Sequence, residues 1–439
     1  MSPQSESQNK KSWSRRQFLQ RSAVSGAAAF GALSLARGAH AGGSGIIKVG
    51  LIGCGGRGSG AAANAMNAGK DVHLVAVGDL LEERLKDSCP RLKKMYPEQA
   101  TVDKAHCFAG FDAYQKVLAS DIDVAVIAVT SHFHPMLLKA AVDAGKHVFC
   151  EKPCAIDMPG IRMARTASED AKKKNLSVVS GLCWRYDLGV REMIKRVLDG
   201  QIGEIIAMQE NYLRGPYVLR ERKPKWSEME YQIQNWYHFN WLSGDDPAQS
   251  LIHNFTVTSW AMGDVPPTKA WGMGGRQVCV EPQYGDVFDH QAIVREHANG
   301  VRIFGFCRDI PGCYGNNSNV IFGTKGRAFS PSRCSIEGAK PWRYKGPKPS
   351  MYDVEHKELF EAVRAGKPVN NGDYMCLCAE LGILSQMAAY TGQEVTWEQL
   401  QKAKFSYSLP RYGWDVTPPV KPGPNGQYPA ALPGITKLT

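Results

Sequence analysis

Several things are missing from this chain of 439 residues, and each absence removes a class of protein. No run reaches the roughly 20 apolar residues that a membrane-spanning helix needs. The longest candidate, Ala23 to Ala36, is short and rich in Ala and Gly. None of the twelve cysteines stands in a C-x-x-C pair or a zinc-ligand spacing, which argues against a metal ribbon or a dithiol redox motif. Asp245, Asp246, His290 and Glu355-His356 also lack metal-ligand spacing, so no metal is expected. There is no internal repeat and no heptad, which excludes solenoids and coiled coils.

The charge is equally restrained. Formal net charge is +11, but residues 1–41 hold six Lys/Arg against one Glu, leaving +6 on the other 398 residues. That suits an anionic cofactor and does not argue for nucleic acid. The first 41 residues read as an export signal. Lys10, Lys11, Arg15, Arg16 and Arg21 form a basic region, with the twin-arginine pattern Ser14-Arg15-Arg16-Gln17-Phe18-Leu19. The apolar stretch follows, and Ala39-His40-Ala41 is a small-x-small cleavage site. A disordered basic tail and an uncleaved anchor are the alternatives. The twin-arginine translocation machinery carries folded proteins, so a periplasmic or otherwise exported product loaded with cofactor before export is expected. Scattered cysteines, several in predicted core strands, fit free thiols better than a disulfide frame.

From residue 46 strand and helix alternate. Ile46–Ile52, Val72–Val77, Asp123–Val129, His147–Cys150 and Leu176–Gly181 read as buried strands. Residues 59–68, 135–144 and 159–174 read as the helices between them. This predicts an α/β chain: an N-terminal doubly wound parallel sheet over 46–175. Beyond it, a C-terminal domain with a mostly antiparallel open sheet is expected over 176–405. Its strands are placed at 204–212, 291–296, 301–307 and 319–322, and its helices at 191–198, 251–262, 354–365 and 376–391. Residues 336–350 read as a Gly/Pro/Lys-rich loop, and 406–439 as an extended Pro-rich tail.

The chemistry starts at Gly53-Cys54-Gly55-Gly56-Arg57-Gly58, directly after the first strand. Gly53 permits a tight turn, Gly55 and Gly56 lie where a pyrophosphate approaches the backbone, and Gly58 allows close helix–strand packing. Asp79 follows 21 residues after Gly58, at the end of the second strand, where an acid binds ribose hydroxyls. Its charge disfavours a 2′-phosphate, so NAD is favoured over NADP. Arg57 either offsets that preference or faces solvent. Glu151-Lys152-Pro153 ends another strand, and a lysine there can polarise a substrate hydroxyl.

Together with Thr130-Ser131-His132-Phe133-His134-Pro135 and Ser250-Leu251-Ile252-His253-Asn254, these segments resemble the Gfo/Idh/MocA (glucose-fructose oxidoreductase / inositol dehydrogenase-like) oxidoreductases over roughly residues 46–400. The resemblance implies a Rossmann domain, a second domain whose open sheet often makes a dimer or tetramer, and NAD(P)-dependent redox chemistry on sugars or polyols. Lys152 matches the family's lysine that holds the reacting hydroxyl, and His253 its catalytic histidine. Many members carry an acid four residues before that histidine; here it is Gln249, which cannot accept a proton at neutral pH. Thr130, His134 and Glu151 match cofactor-side positions, although His134 equally fits a histidine that only bonds backbone. Arg185 and Tyr186, after the fifth predicted strand, match a segment that enters the cleft. Trp236 belongs to an aromatic run (Trp226, Tyr231, Tyr237, Phe239, Trp241) suited either to sugar faces or to a packed wall.

The expected activity is hydride transfer from a hydroxyl-bearing carbon of a sugar, glycoside or cyclitol, with tightly held NAD(P). One alternative is an NAD-dependent glycoside hydrolase or lyase of the same fold, using transient oxidation and elimination. The other is a non-catalytic sugar-binding protein.

Overall fold

A computed structural model describes residues 45–438; the export signal read at residues 1–41 lies outside them. Ile47–Ile52 (β1) is apolar on both faces, which only a strand covered on both sides tolerates. It lies between Val72–Asp79 (β2) and Val124–Ile127 (β4), parallel to both. With Cys107–Ala109 (β3), His147–Cys150 (β5) and Val178–Ser180 (β6), the six-stranded order is β3-β2-β1-β4-β5-β6, with every neighbour parallel. The order reverses between β1 and β4, and the crevice beyond the strand carboxyl ends opens there.

Helices cover both faces. Ala61, Ala65 and Met66 from the helix Gly56–Asn67 pack on Val49, Leu51 and Leu74. The other face meets Leu138, Ala141 and Val142 from His134–Asp143, and Ile161 and Ala164 from Met158–Lys173. Two late helices join these layers: Leu359 and Phe360 of Met351–Ala365 enter the first core, and Met375 and Ala379 of Gly372–Thr391 the second.

The second sheet has nine strands: Ile205–Leu213 (β7), Lys269–Gly275 (β8), His290–Glu296 (β9), Arg302–Arg308 (β10), Asn316–Gly323 (β11), Gly326–Ser330 (β12), Ser335–Gly338 (β13), Trp342–Arg343 (β14) and Val395–Thr396 (β15). The order is β14-β13-β12-β11-β7-β10-β9-β8-β15, antiparallel except for β7 with β10. β10 alternates strictly, with Ile303, Gly305 and Cys307 buried and Arg302 and Phe304 exposed. On the buried face Arg295 pairs with Glu210, which also accepts from the Thr258 hydroxyl.

Some elements differ from expectation. β13 and β14 occupy part of the segment read as a loop at 336–350, because Trp342 and Ile336 pair across a hairpin despite flanking Gly and Lys. β8 escaped notice because Gly272, Gly274 and Gly275 interrupt its apolar pattern; a Cβ at Gly272 would stand 2.7 Å from the Ala292 carbonyl oxygen. The helix expected from residue 59 starts at Gly56, inside the glycine turn. Residues 404–438 contain no helix or strand. All twelve cysteines are free thiols. Among the described residues no helix is long and apolar enough to cross a membrane, and no group of three or more His, Cys, Asp or Glu side chains is arranged to hold a metal ion.

Candidate functional site

A cleft of about 590 Å³ opens at the carboxyl ends of β1, β2, β4 and β5. Its floor is the glycine turn. Gly53 sits at φ +99°, and a Cβ there would lie 2.4 Å from the Ala128 carbonyl oxygen. A Cβ at Gly58 would lie 1.7 Å from the Gly53 carbonyl oxygen, so both positions are closed to any side chain. A Cβ at Gly56 would meet nothing within 4 Å, because that position faces the open cleft. Gly55 is the N-cap of the helix Gly56–Asn67, and no side chain caps that end. Its free N–H groups therefore point at the cleft, an arrangement that attracts an anion.

Asp79 ends β2 with both oxygens engaged: Oδ2 accepts from the Cys54 N–H (2.6 Å) and Oδ1 from the Leu81 N–H (2.8 Å). Burial raises its carboxyl above the usual range, against the lowering effect of those bonds. Each oxygen retains a lone pair for a ribose hydroxyl. Arg57 does not reach toward this acid. Its Nε lies 3.2 Å from Glu151, it donates to Asn64 (2.8 Å), and it lies over the Tyr352 ring at 4.7 Å. It ties the glycine turn to the Glu151 segment. The cation missed by the sequence reading is Arg84, which lines the cleft five residues after Asp79 and crowds the Cβ position of Gly55 at 2.6 Å. Its signal was available as an arginine in the first turn of the helix after β2. These residues fit a dinucleotide: open backbone and a helix N-terminus for the diphosphate, and a half-buried carboxylate for the ribose.

Glu151 and Lys152 extend β5 into the cleft, and the Lys152–Pro153 bond is cis. His134 donates Nδ1–H to the Pro153 carbonyl (2.7 Å) and lies outside the cleft lining, so of its two readings the structure shows the backbone-bonding one. Burial lowers the Lys152 ammonium from its ordinary pKa, and neighbouring Glu151 partly restores it. Lys152 Nζ donates to the Gln249 carbonyl, in a π-helical turn at Pro247–Leu251 that runs into the helix Ile252–Ala261. Such widened turns recur at functional sites.

Gln249 lines the cleft and donates to Ser131 Oγ (3.0 Å) and the Ser243 carbonyl, while its Oε1 has no protein donor. One helical turn on, His253 lies between the rings of Trp184 (5.5 Å) and Tyr212 (6.3 Å). Burial, and then the Lys152 charge, push its imidazole down to about 3, so it is neutral at any physiological pH. Its Nδ1 is without a protein partner.

The aromatic run divides. Trp226, Tyr231, Phe239 and Trp241 are buried in a common core, whereas Trp236 and Tyr237 line the cleft. Trp236 stacks on Tyr237 (3.7 Å), Tyr237 on Tyr217 (3.8 Å), and the Arg214 guanidinium lies 3.5 Å over Tyr217. Arg214 is held by Asp246 (2.6 Å) and Ser250 (3.1 Å), which makes a rigid wall.

Thr130 is also in the lining. Arg185 and Tyr186 are not. Arg185 is ion-paired with Asp264 and packs over Trp260 and Tyr374, and Tyr186 donates to Asn371 (2.8 Å) in the core behind the sheet. The sequence reading placed both in the cleft because they follow a strand's carboxyl end; the partners that draw them away come from residues 260–374.

Residues 47–182 match the family profile described as GFO_IDH_MocA, oxidoreductase family, NAD-binding Rossmann fold. The chain is 26% identical over 292 residues to a myo-inositol 2-dehydrogenase of Thermotoga maritima, spanning 65% of this chain and 75% of that protein. It is 24% identical over 337 residues to an inositol 2-dehydrogenase of Salmonella paratyphi B, spanning 73% and 87%. Its fold is like that of a levoglucosan dehydrogenase solved with NADH and levoglucosan (TM-score 0.63, 18% identity, 80% of this chain and 99% of that one). It is also like an aldose-aldose oxidoreductase of Caulobacter crescentus solved with glycerol (TM-score 0.64, 18% identity, 80% and 99%). Residues 47–182 thus resemble the NAD-binding Rossmann domain of that family, and by this match and by relatives that cover most of its length the chain is an oxidoreductase acting on CH–OH groups.

Proposed function

We propose that the chain is an exported, NAD-preferring oxidoreductase that oxidises a secondary hydroxyl of a sugar, glycoside or cyclitol. The observation that carries this is the meeting of Lys152 and the π-helical turn before His253 at the rim of the dinucleotide cleft. The bound nicotinamide would supply the hydride acceptor. Lys152, as an ammonium, would hold the hydroxyl oxygen and stabilise negative charge as its proton leaves. Neutral His253, one helical turn behind Gln249 and not itself in the cleft lining, would take that proton at an imidazole nitrogen through water. The Trp236–Tyr237 wall offers flat apolar faces to the C–H face of a ring. Asp79 at the end of β2 supports NAD over NADP, while Arg84 beside it is the cation that would weaken that preference. The twin-arginine signal supports export with the cofactor already bound.

A second reading has a specific observation behind it. Gln249 stands where many relatives place an acid, and the stacked wall suits a ring bearing an aglycone. Transient oxidation of a ring hydroxyl would acidify the neighbouring C–H, permit loss of the leaving group and addition of water, and end in reduction, with no net redox.

A second copy of the chain is the proposed partner for the open face of the nine-stranded sheet. There Phe304 pairs with Val294 and Val294 with Trp271, while Met273, 71% exposed, stands one pair further along. A Phe304→Glu chain that kept the wild-type sedimentation rate would refute that face as the contact.

The deciding experiment denatures the purified protein and identifies any nicotinamide released. The native protein is then given sugars, cyclitols and aryl glycosides. Net reduction of added NAD supports the dehydrogenase, and aglycone release without net reduction supports the glycosidase. Sugar binding without bound cofactor or turnover leaves the binding module. Lys152→Met should lower kcat/KM by about 10²–10⁴ for either chemistry.

A further inference from the structure

The C-terminal tail reaches the cleft, although nothing in its composition marks it as functional. Tyr412 is part of the cleft lining. Its hydroxyl and His132 Nε2 hydrogen-bond at 2.7 Å, and its ring meets Phe133 edge-on at 5.1 Å. Two residues on, Trp414 packs on Phe111 at 5.0 Å. Phe133 follows β4, on the Lys152 side of the cleft, and Phe111 follows β3, on the Asp79 side. Both line the cleft themselves. The two tail rings therefore run along the rim of the cleft from one half to the other.

This stretch is fastened at both ends. Before it, Asp157, the N-cap of the helix after the Lys152–Pro153 turn, accepts from the Tyr407 N–H (2.9 Å) and the Ser406 hydroxyl (3.3 Å). Asn240 donates to the Tyr407 hydroxyl (2.7 Å). After it, Gln232 donates to the Val420 carbonyl (2.7 Å) and Arg276 to the Tyr428 carbonyl (2.7 Å), and the Tyr428 ring is buried with Trp226, Tyr231, Phe239 and Trp241. A segment without helix or strand is usually free to peel from its end. Here the anchors beyond Tyr412 must release before the rim can open.

We infer that residues 406–428 are a retaining strap in which Tyr412 and Trp414 are positioning residues that keep the nicotinamide dinucleotide seated in the cleft. The inference rests on the proposed cofactor reading and deepens it: the strap would make the dinucleotide a resident group carried through successive turnovers. His132 adds a test of mechanism. Burial pushes its imidazole down to about 4, so the Tyr412 bond is made to a neutral ring and persists across the working pH range.

The test uses the full chain loaded with NADH and follows the loss of bound NADH fluorescence on chase with excess NAD. The double variant Tyr412→Ala/Trp414→Ala should release NADH about tenfold faster or more, since it removes two aromatic contacts and a hydrogen bond. Tyr412→Phe keeps the ring and loses the hydroxyl, so it should fall between the double variant and wild type. The apparent KM for added NAD should rise in the same order, and saturating NAD should recover turnover. If the double variant melts at a lower temperature yet releases NADH at the wild-type rate, the strap is only structural and the inference is overturned. If the wild-type protein neither contains nor takes up NAD(H), the cofactor reading itself fails, and the inference with it. Circular dichroism and melting curves on each variant separate misfolding from release, and Tyr412→Phe alone carries the test should the double variant not fold.

Discussion

At the scale of single residues the proposed chemistry turns on which groups carry charge. His253 is neutral because burial and the nearby Lys152 ammonium both oppose its protonation, which holds it near 3. A base already neutral at pH 5 adds no acid limb to a pH–rate profile. Lys152 is lowered by burial, and as the charged partner of the reacting oxygen it must keep its proton. We therefore expect kcat/KM to show no fall on the acid side down to pH 5 and to fall on the alkaline side, earlier than an ordinary lysine would cause. His253→Asn should lower the whole profile by about 10²-fold without changing its shape. An acid limb near pH 6.5 that vanishes in His253→Asn would contradict this assignment. Gln249 belongs to the same scale. Its amide donates to the Ser243 carbonyl, a contact that a carboxylate would turn into repulsion. Placing an acid there by Gln249→Glu should thus destabilise the protein by about 1–3 kcal/mol, measured by denaturant titration.

At the scale of elements the glycine turn shows what one sequence pattern encodes. Gly58 serves packing, since its Cβ position lies almost on the Gly53 carbonyl, whereas Gly56 faces only the cleft. Gly58→Ala should lose both stability and dinucleotide binding. Gly56→Ala, in the first turn of a helix, should leave the melting temperature nearly unchanged and weaken NADH binding, read by fluorescence titration. Equal losses of stability in the two variants would refute the division of roles. This element was legible in the sequence because its pattern is local: a strand, a turn, a helix start and an acid at the next strand end. So was the segment around Lys152. The parts that were not legible depend on contacts between distant residues. Arg185 looked like a cleft residue by position and is claimed by Asp264 and Tyr374. Tyr412 lay in a Pro-rich tail whose role is set by His132, 280 residues earlier. β8 was hidden because glycines relieve crowding against β9, and that crowding exists only once the sheet has formed.

At the scale of the whole molecule, the buried titratable groups make stability depend on pH independently of the reaction. Burial holds His132, His134, His238 and His297 at about 4, and His253 and His356 at about 3. In the unfolded chain these rings take up protons below their ordinary value of about 6.5. As pH falls from 6.5 toward 4, the unfolded state gains protons that the folded state cannot, and stability is lost. The carboxyls act on the other side. Burial raises Asp286 to about 6, Asp245 to about 7 and Asp309 to about 8, with Asp246 adding repulsion at Asp309. Between their ordinary value near 3.8 and these raised values, the unfolded state sheds protons that the folded state retains, so stability falls as pH rises. Burial likewise raises the carboxyls of Asp79, Glu151, Glu210 and Glu355, so below pH 6.5 the histidines and the carboxyls oppose one another; above 6.5 the histidines no longer act, and the raised carboxyls, Asp245 and Asp309 among them, still do until they ionise. Melting temperature should therefore decline from about pH 6.5 to about pH 8. Asp309→Asn removes a carboxyl that is costly to ionise beside Asp246, and should flatten the alkaline decline. An alkaline decline that persisted unchanged in that variant would place its origin elsewhere than in the Asp245–Asp246–Asp309 group around Arg214.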